Sequence, residues 1–399
     1  MLHTDEQAVE HFLTRGVERL YPSPEVVREL FYSGKKLRMY HGIDPTGAQL
    51  HIGHAIQLRK LGEFQKLGHT TILLIGTFTA MIGDPSDKLA TRVPLSAEQV
   101  RDNMKNYLTY AKQFLNFDGP NAVEVRYNDA WLAKLSLTDV ITLMQQVTVQ
   151  QMLERDMFQA RISNGKPIHL HEFLYPLLQG YDSVFLDVDG ELGGNDQTFN
   201  MLMGRTLARH VIGKEKFVIV TKLLTDPTGK KMGKTEGNMI TLDDSAEEMY
   251  GKVMSWSDPM ILPGYEVCTT LPDDIVAAVA AALTNGENPM THKKRLAREV
   301  TALYHGTAGA AAAEAYFVAT IQNKEIPESM EELRVVSGVL LSDPLLLSKL
   351  VASKGDFKRL VEEGAVMFEN QKVDDFNFAV TESGVVKVGK RKFLRVIIQ

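Results

Sequence analysis

The chain has 399 residues and one cysteine, Cys268, with 44 Lys and Arg against 50 Asp and Glu, a formal charge of −6. At about 150 residues per domain this length predicts two or three domains and a sizeable core, and the lone cysteine excludes an intrachain disulfide framework or a multi-cysteine metal site. The charge shows no basic coat, the N-terminus lacks an export-signal pattern, and no run approaches 18 consecutive apolar residues, so a cytoplasmic protein off the membrane is expected.

In chain order, three zones separate. Between residue 37 and about 222, short apolar runs alternate with helical patterns. Residues 37–40, 71–75, 123–127 and 217–220 read as buried strands, a rhythm that predicts an α/β fold with a doubly wound parallel sheet. After the first strand, Leu58, Leu61, Phe64 and Leu67 repeat at i+3 as one apolar helix stripe, which Gly68 stops.

From about 245 to 325 the strands disappear. A helix is predicted over 273–283. A second opens at Asn288-Pro289 and runs to Tyr304, and an Ala-rich third covers 310–317. Residues 323–332 are polar, contain Pro327 and read as a linker. The tail 341–399 begins with a helix carrying Leu345, Leu346, Leu350 and Leu360, and continues with short strands at 365–368, 385–388 and 393–397. It holds 7 Lys and 3 Arg against 8 acidic residues, so it is +2 while the remainder is −8.

Three constellations carry chemistry. In Tyr40-His41-Gly42-Ile43-Asp44-Pro45-Thr46 a strand ends and a turn begins, and a helix opens near His51-Ile52-Gly53-His54. Two histidines three apart share a face of the first helical turn, where free N–H groups and the helix dipole favour an anion such as a phosphate chain. Gly53 between them leaves room for a nucleotide base. The second is Lys230-Lys231-Met232-Gly233-Lys234-Thr235, a glycine-flanked cationic loop suited to charge that develops on a departing pyrophosphate. The third is Tyr175, Gln179 and Asp182, spaced i, i+4 and i+7 as a polar helix face among leucines, followed by Gly193-Gly194-Asn195-Asp196-Gln197. Pro176 fits this helix only in its first turn or at a kink.

His51-Ile52-Gly53-His54 and Lys231-Met232-Gly233-Lys234-Thr235 together resemble the paired signatures of class I aminoacyl-tRNA synthetases. Tyr40-x-Gly-x-Asp-Pro-Thr, Gly83-Asp84-Pro85-Ser86, Tyr175-x3-Gln179-x2-Asp182 and Gly194-x-Asp196-Gln197 resemble the tyrosyl-tRNA synthetase subgroup, and the tail from Ser353 to Val366 resembles an S4-type RNA-binding domain. The resemblance implies a Rossmann-like catalytic domain over 1–222, with a helical insertion and dimer interface at about 130–160. It further implies a signature loop and helical anticodon-binding domain over 223–330, and a linker with an α+β S4-like domain over 331–399.

It also implies roles. Tyr40 and Asp182 would bind the tyrosine phenol, and Asp84, Tyr175 and Gln179 its ammonium group. Gln197 would lie near the carboxylate and Asn128 near the pocket. Gly42, Asp44, Gly53, Gly194, Asp196 and Lys234 would bind ATP, whose Mg²⁺ rides on the phosphates; no metal ligand set is assigned. His51 and His54 would contact phosphates, and Lys231, Lys234 and Thr235 would stabilise the leaving pyrophosphate. Lys354, Lys358, Arg359, Lys390 and Arg391 would contact tRNA(Tyr). A homodimer is implied, although Val140, Ile141, Leu143 and Met144 suit an interface and a core equally. The contact made by His41 stays open, as do a tryptophanyl-type enzyme, a non-catalytic RNA-binding derivative and a nucleotidyltransferase with another acceptor.

Overall fold

The computed structural model describes residues 2, 5–84, 95–225, 239–322, 330–389 and 392–399. The apolar runs of the first zone become strands of a six-stranded sheet: β1 (Val17–Tyr21), β2 (Arg38–Ile43), β3 (Thr70–Ile75), β4 (Glu124–Tyr127), β5 (Gly190–Gly194) and β6 (Phe217–Thr221). Their order is β1-β6-β5-β2-β3-β4. Strands β2 to β6 run parallel, and β1 pairs antiparallel with β6 at the edge. The chain winds outward from β2 through β3 to β4, then returns to build β5 and β6 on the other side of β2. The winding therefore reverses between β2 and β5. In such sheets a crevice for ligands opens there, beyond the carboxyl ends of the strands.

Strands β1 and β5 carry no clear pattern in the sequence. Three of the five residues of β5 are glycine, which has weak strand propensity, yet all five are buried. The helix Ile52–Lys66 follows β2 and buries Leu58, Leu61 and Phe64 completely. The helix Leu174–Phe185 carries Pro176 in its first turn, where the missing N–H costs nothing, so the proline is accommodated without a kink. Met39 and Ile43 are core.

Contacts divide the chain into two units, Met1–Asp243 with Pro259–Glu287, and Asp244–Asp258 with Asn288–Gln399. The helix Asp273–Thr284 thus belongs to the first unit. In the second, the helix Ala246–Met254 packs against the span Pro289–Phe317. Asn288 caps that span through the Met290 N–H, and Gly306, at φ 73°, divides it into the two expected helices.

The tail forms a five-stranded sheet, ordered β10-β9-β12-β13-β7, and a two-stranded pair of β11 and β8. The strands are β7 (Glu331–Val335), β8 (Val339–Leu340), β9 (Val366–Phe368), β10 (Gln371–Lys372), β11 (Ala379–Val380), β12 (Gly384–Val388) and β13 (Lys392–Ile398). Two expectations are corrected here. Glu331 and Glu332 are not linker but the start of β7, which pairs parallel with β13. Leu345 and Leu360 do not share a helix: Ser342–Leu347 and Lys354–Glu362 are separate, with Lys349 at φ 57° between them and Ser353 capping the second. Both pack on a core that includes Phe357, Val361, Val386 and Leu394. Among the described residues, no helix is long and apolar enough to cross a membrane.

Candidate active site

The turn after β2 opens into the crevice between β2 and β5. Tyr40 is buried, with its hydroxyl 3.1 Å from Ser183 Oγ and 3.4 Å from the Gln179 carbonyl. Burial raises its phenol pKa well above the ordinary value, helped by Glu191 and Asp182, so Tyr40 stays protonated. His41 points the other way, as alternation along a strand requires, and its Nδ1 donates to the Leu192 carbonyl at 2.9 Å. Burial lowers the His41 pKa, so the ring is held neutral as a tie between β2 and β5. Gly42 is exposed. Asp44 accepts from Thr79 Oγ1 at 2.7 Å and from the Tyr175 hydroxyl at 2.8 Å. A methyl on Gly76 would lie 1.9 Å from Asp44 Oδ1, so this carboxylate fits only against glycine.

His51 and His54 begin the helix Ile52–Lys66 in a way the spacing alone did not reveal. His51 is the residue that caps the helix rather than part of its first turn. Its Nδ1 accepts from the Gly53 N–H at 3.1 Å, while His54 Nδ1 accepts from the His51 N–H at 3.2 Å, and the rings stack 3.8 Å apart. A neutral ring that accepts at Nδ1 carries its proton at Nε2. A methyl on Gly53 would meet the His51 ring at 2.9 Å; glycine here makes room for the cap itself. Residues 240–242 lie antiparallel to 50–52 through the Ile52 N–H on the Ile240 carbonyl and the Leu242 N–H on the Leu50 carbonyl. An apolar cleft opens there between Gly53, Leu223, Leu224, Met239 and Ile240. Lys231, Lys234 and Thr235 lie outside the described residues.

Tyr175, Gln179 and Asp182 share one face of the helix Leu174–Phe185, as their spacing predicts. Asp182, 2% exposed, accepts from Trp131 Nε1 at 2.8 Å and Asn128 Nδ2 at 3.2 Å. Burial pushes its carboxyl well above the usual range, and these two N–H groups oppose that shift. Asn128 is fixed by the Phe78 N–H on its Oδ1 at 2.8 Å. Asp84 lies in a second cluster, with Gln197 Nε2 at 2.7 Å, Asn200 Nδ2 at 3.5 Å and Arg155 Nη2 at 3.4 Å. The Arg155 guanidinium stacks on Phe158 and Phe199. Gln179 Nε2 donates to Glu191 Oε1 at 3.0 Å. Gly194 ends β5 so tightly that a methyl would fall 2.6 Å from Asp196 Oδ1.

The structure thus gathers Tyr40, Asn128, Gln179 and Asp182 around one polar centre, and Asp84 and Gln197 around another, with Tyr175 reaching to Asp44. The sequence reading did not single out Thr79, Trp131, Arg155, Ser183, Glu191 or Lys216. Trp131 was findable: it stands three residues after Asn128, on the same side of the helical turn Asp129–Leu132.

In the tail, Lys354, Lys358 and Arg359 are exposed on the helix Lys354–Glu362. Arg359 forms ion pairs with Asp356 and Glu363, both at 2.8 Å, and Lys354 pairs with Asp343 at 3.3 Å. Lys358 lies over the Phe376 ring. Lys390 and Arg391 lie outside the described residues. In the insertion, Leu143 is core and Val140 half-buried, whereas Leu137, Ile141, Met144 and Val149 are exposed.

A parallel sheet wound both ways, with a histidine-capped helix and two buried carboxylate clusters at its switch point, defines a nucleotide-binding α/β protein that also takes a polar small molecule. The family model for class I tRNA synthetases (W and Y) matches residues 32–322. Tyrosine–tRNA ligase 2 of Vibrio cholerae is 42% identical over 389 residues, covering 97% of this chain and 98% of that protein. The tyrosine–tRNA ligase of Carboxydothermus hydrogenoformans is 41% identical over 401 residues, with 97% of each covered. The solved tyrosyl-tRNA synthetase of Archaeoglobus fulgidus, complexed with L-tyrosine, shares the fold with a TM-score of 0.62 at 20% identity, covering 78% of this chain and all of that one. The chain belongs to the class I tRNA synthetase family of the tryptophanyl and tyrosyl type.

Proposed function

We propose that this protein activates L-tyrosine with ATP, forming tyrosyl-adenylate and pyrophosphate, and then transfers tyrosine to the 3′ end of tRNA(Tyr). The observation that carries this reading is buried Asp182, held by Trp131 and Asn128 on the same helix face as Gln179 and close to Tyr40. An acceptor at that depth suits a phenol hydroxyl, whereas a phenylalanine ring brings it no hydrogen-bond donor. Tyr40 and Asp182 bind the phenol. Asp84, Tyr175 and Gln179 face the ammonium group, Gln197 the carboxylate, and Asn128 supports Asp182.

ATP lies along Gly42, Asp44, Gly53, Gly194 and Asp196, with its base against the apolar cleft beside Gly53 and Mg²⁺ carried on its phosphates. A tyrosine carboxylate oxygen attacks the α-phosphorus, and the bond to pyrophosphate breaks with its electron pair leaving on pyrophosphate. The attacking carboxylate is already ionised, so the step needs positioning and charge neutralisation rather than a base. Nε2–H groups of His51 and His54 donate to phosphate oxygens, and Lys231, Lys234 and Thr235 stabilise the leaving group. The transfer step joins tyrosine to a terminal ribose hydroxyl of the tRNA and releases AMP. Lys354, Lys358, Arg359, Lys390 and Arg391 contact the RNA backbone, Arg359 least given its two carboxylate partners. The exposed apolar residues of the insertion supply a homodimer interface, and the protein works in the cytoplasm.

Amino-acid-dependent ATP–pyrophosphate exchange tests the reading. Exchange with tyrosine, and not with tryptophan or phenylalanine, is expected. Folded protein that fails with tyrosine overturns it, and exchange with tryptophan instead assigns the other branch of the family.

A further inference from the structure

Behind the tyrosine pocket lies a charged layer that the reaction does not use. Lys216, which precedes β6, and Glu191 on β5 form an ion pair whose side chains are 0% and 2% exposed. Lys216 Nζ also donates to Ser183 Oγ at 2.8 Å and lies 5.8 Å from the centre of the Tyr40 ring. Ser183 Oγ is 3.1 Å from the Tyr40 hydroxyl and 3.4 Å from Glu191 Oε2. The other oxygen of Glu191 accepts from Gln179 Nε2 at 3.0 Å. The layer is closely fitted: a methyl on Gly204, from the helix Thr198–Ile212, would fall 2.5 Å from Lys216 Nζ and 2.7 Å from Ser183 Oγ.

A buried ion pair is a poor device for stability alone, because removing both charges from water costs as much as their attraction returns. Here the pair's further hydrogen bonds reach, directly or through Ser183, two groups of the proposed tyrosine pocket. Each of those groups has two possible polarities. The Tyr40 hydroxyl can donate backward to Ser183 or forward into the pocket. The Gln179 amide can present either its NH₂ or its oxygen.

The ion pair resolves both. Lys216 is donor-only, so it occupies one lone pair of Ser183 Oγ, and Glu191 Oε2 is acceptor-only, so it takes the Ser183 proton, which leaves the second Ser183 lone pair to accept from Tyr40. The Tyr40 proton is then held by Ser183 and the Gln179 carbonyl, and the Tyr40 oxygen faces the ligand as an acceptor for a phenol proton. Glu191 is acceptor-only, so it takes the NH₂ of Gln179 and turns the amide oxygen toward the ligand, where an ammonium group is received.

We infer that Glu191, Lys216 and Ser183 are positioning residues that set the hydrogen-bond polarity of the tyrosine pocket and so its preference for a phenol and an ammonium. This rests on the proposed tyrosine-activating function. Exchange by the unaltered protein is measured first, so that failure of that function is seen before any variant is read, and it would overturn both.

Two variants then test the inference. Ser183→Ala interrupts the relay without touching a charge. Glu191→Gln with Lys216→Met removes both charges together, so no lone buried charge remains. Thermal unfolding establishes which variants are folded, and Ser183→Ala decides alone if the double variant is not. Loss of an oriented hydrogen bond to the ligand predicts a KM for tyrosine raised about tenfold or more, with the KM for ATP within about twofold. The preference for tyrosine over phenylalanine in kcat/KM falls by a similar factor, and Ser183→Thr, which keeps the hydroxyl, restores it. Folded variants with unchanged tyrosine KM and unchanged preference overturn the inference, as does a Ser183→Thr loss as large as that of alanine.

Discussion

The hydroxyl of Tyr175 donates to Asp44 Oδ2 across 2.8 Å, joining a residue of the amino-acid helix to a residue of the nucleotide turn. Burial, with Asp44 and Asp84 nearby, raises the Tyr175 phenol well above its ordinary pKa, so the donor persists through any working pH. The two half-sites are therefore coupled before either ligand arrives. Tyr175→Phe and Asp44→Asn are expected to be non-additive in the kcat/KM for exchange, with a coupling energy of about 1–2 kcal/mol in a double-mutant cycle. Additive losses would place the two side chains in independent roles.

Asp182→Ala is expected to cripple tyrosine use while leaving ATP binding largely intact. The variant also strands Trp131 Nε1 and leaves Asn128 Nδ2 with Thr79 Oγ1 alone, so a stability loss of about 1–3 kcal/mol should accompany it. Separate titration of tyrosine and of ATP, with thermal unfolding alongside, distinguishes the outcomes. Equal loss of both affinities would make Asp182 a structural residue.

Removing the tail is expected to spare adenylate formation and impair tRNA charging. The pairing of β7 with β13 dictates where to cut. A truncation after residue 340 leaves Glu331–Val335 as a bare strand, whereas one before residue 331 removes the sheet cleanly. Exchange activity of the shorter protein should match that of the full chain while charging falls by at least about tenfold, the scale expected from losing several phosphate contacts. Parallel loss of both activities would contradict separate roles for the two parts.

His69 gives the first unit a pH dependence. Its ring is 3% exposed, accepts from the Leu37 N–H at 3.2 Å and stacks on Phe64. Burial, with Lys36 adding to it, lowers its pKa from 6.5 to about 4. A depressed histidine favours the neutral native state, so its contribution is complete above the unfolded value of 6.5 and is lost as pH falls toward 4. The loss across that window is on the order of 3 kcal/mol. Urea unfolding of the unaltered protein and of His69→Asn, which keeps an acceptor, should show the difference between them shrinking on acidification. Curves that shift in parallel would remove His69 as the cause.

What could be read from the sequence follows from where the signals were local. Tyr175, Gln179 and Asp182 announce one helix face because a 3.6-residue period links them, and Leu58, Leu61 and Phe64 do the same for the core. β5 escaped because its glycines suppress the strand pattern, although burial of every residue makes it central. The partners of the pocket escaped for a different reason. Ser183, Glu191 and Lys216 meet across a helix and two strands, and nothing in the run Glu215-Lys216-Phe217 distinguishes a buried lysine from a solvated one. The capping role of His51 depends on ring geometry that spacing does not encode.

The parallel pairing of β7 with β13 also has a bearing on synthesis. About 60 residues separate the two strands, so at ribosomal rates of about 5–20 residues per second β7 waits several seconds for its neighbour. Through that interval Leu333 and Val335, which pack on the tail's core, and the edge of β7 have no sheet to join. A chain halted in between carries an open strand edge of the kind that recruits other chains. Closure of this sheet therefore waits on the order in which its strands leave the ribosome.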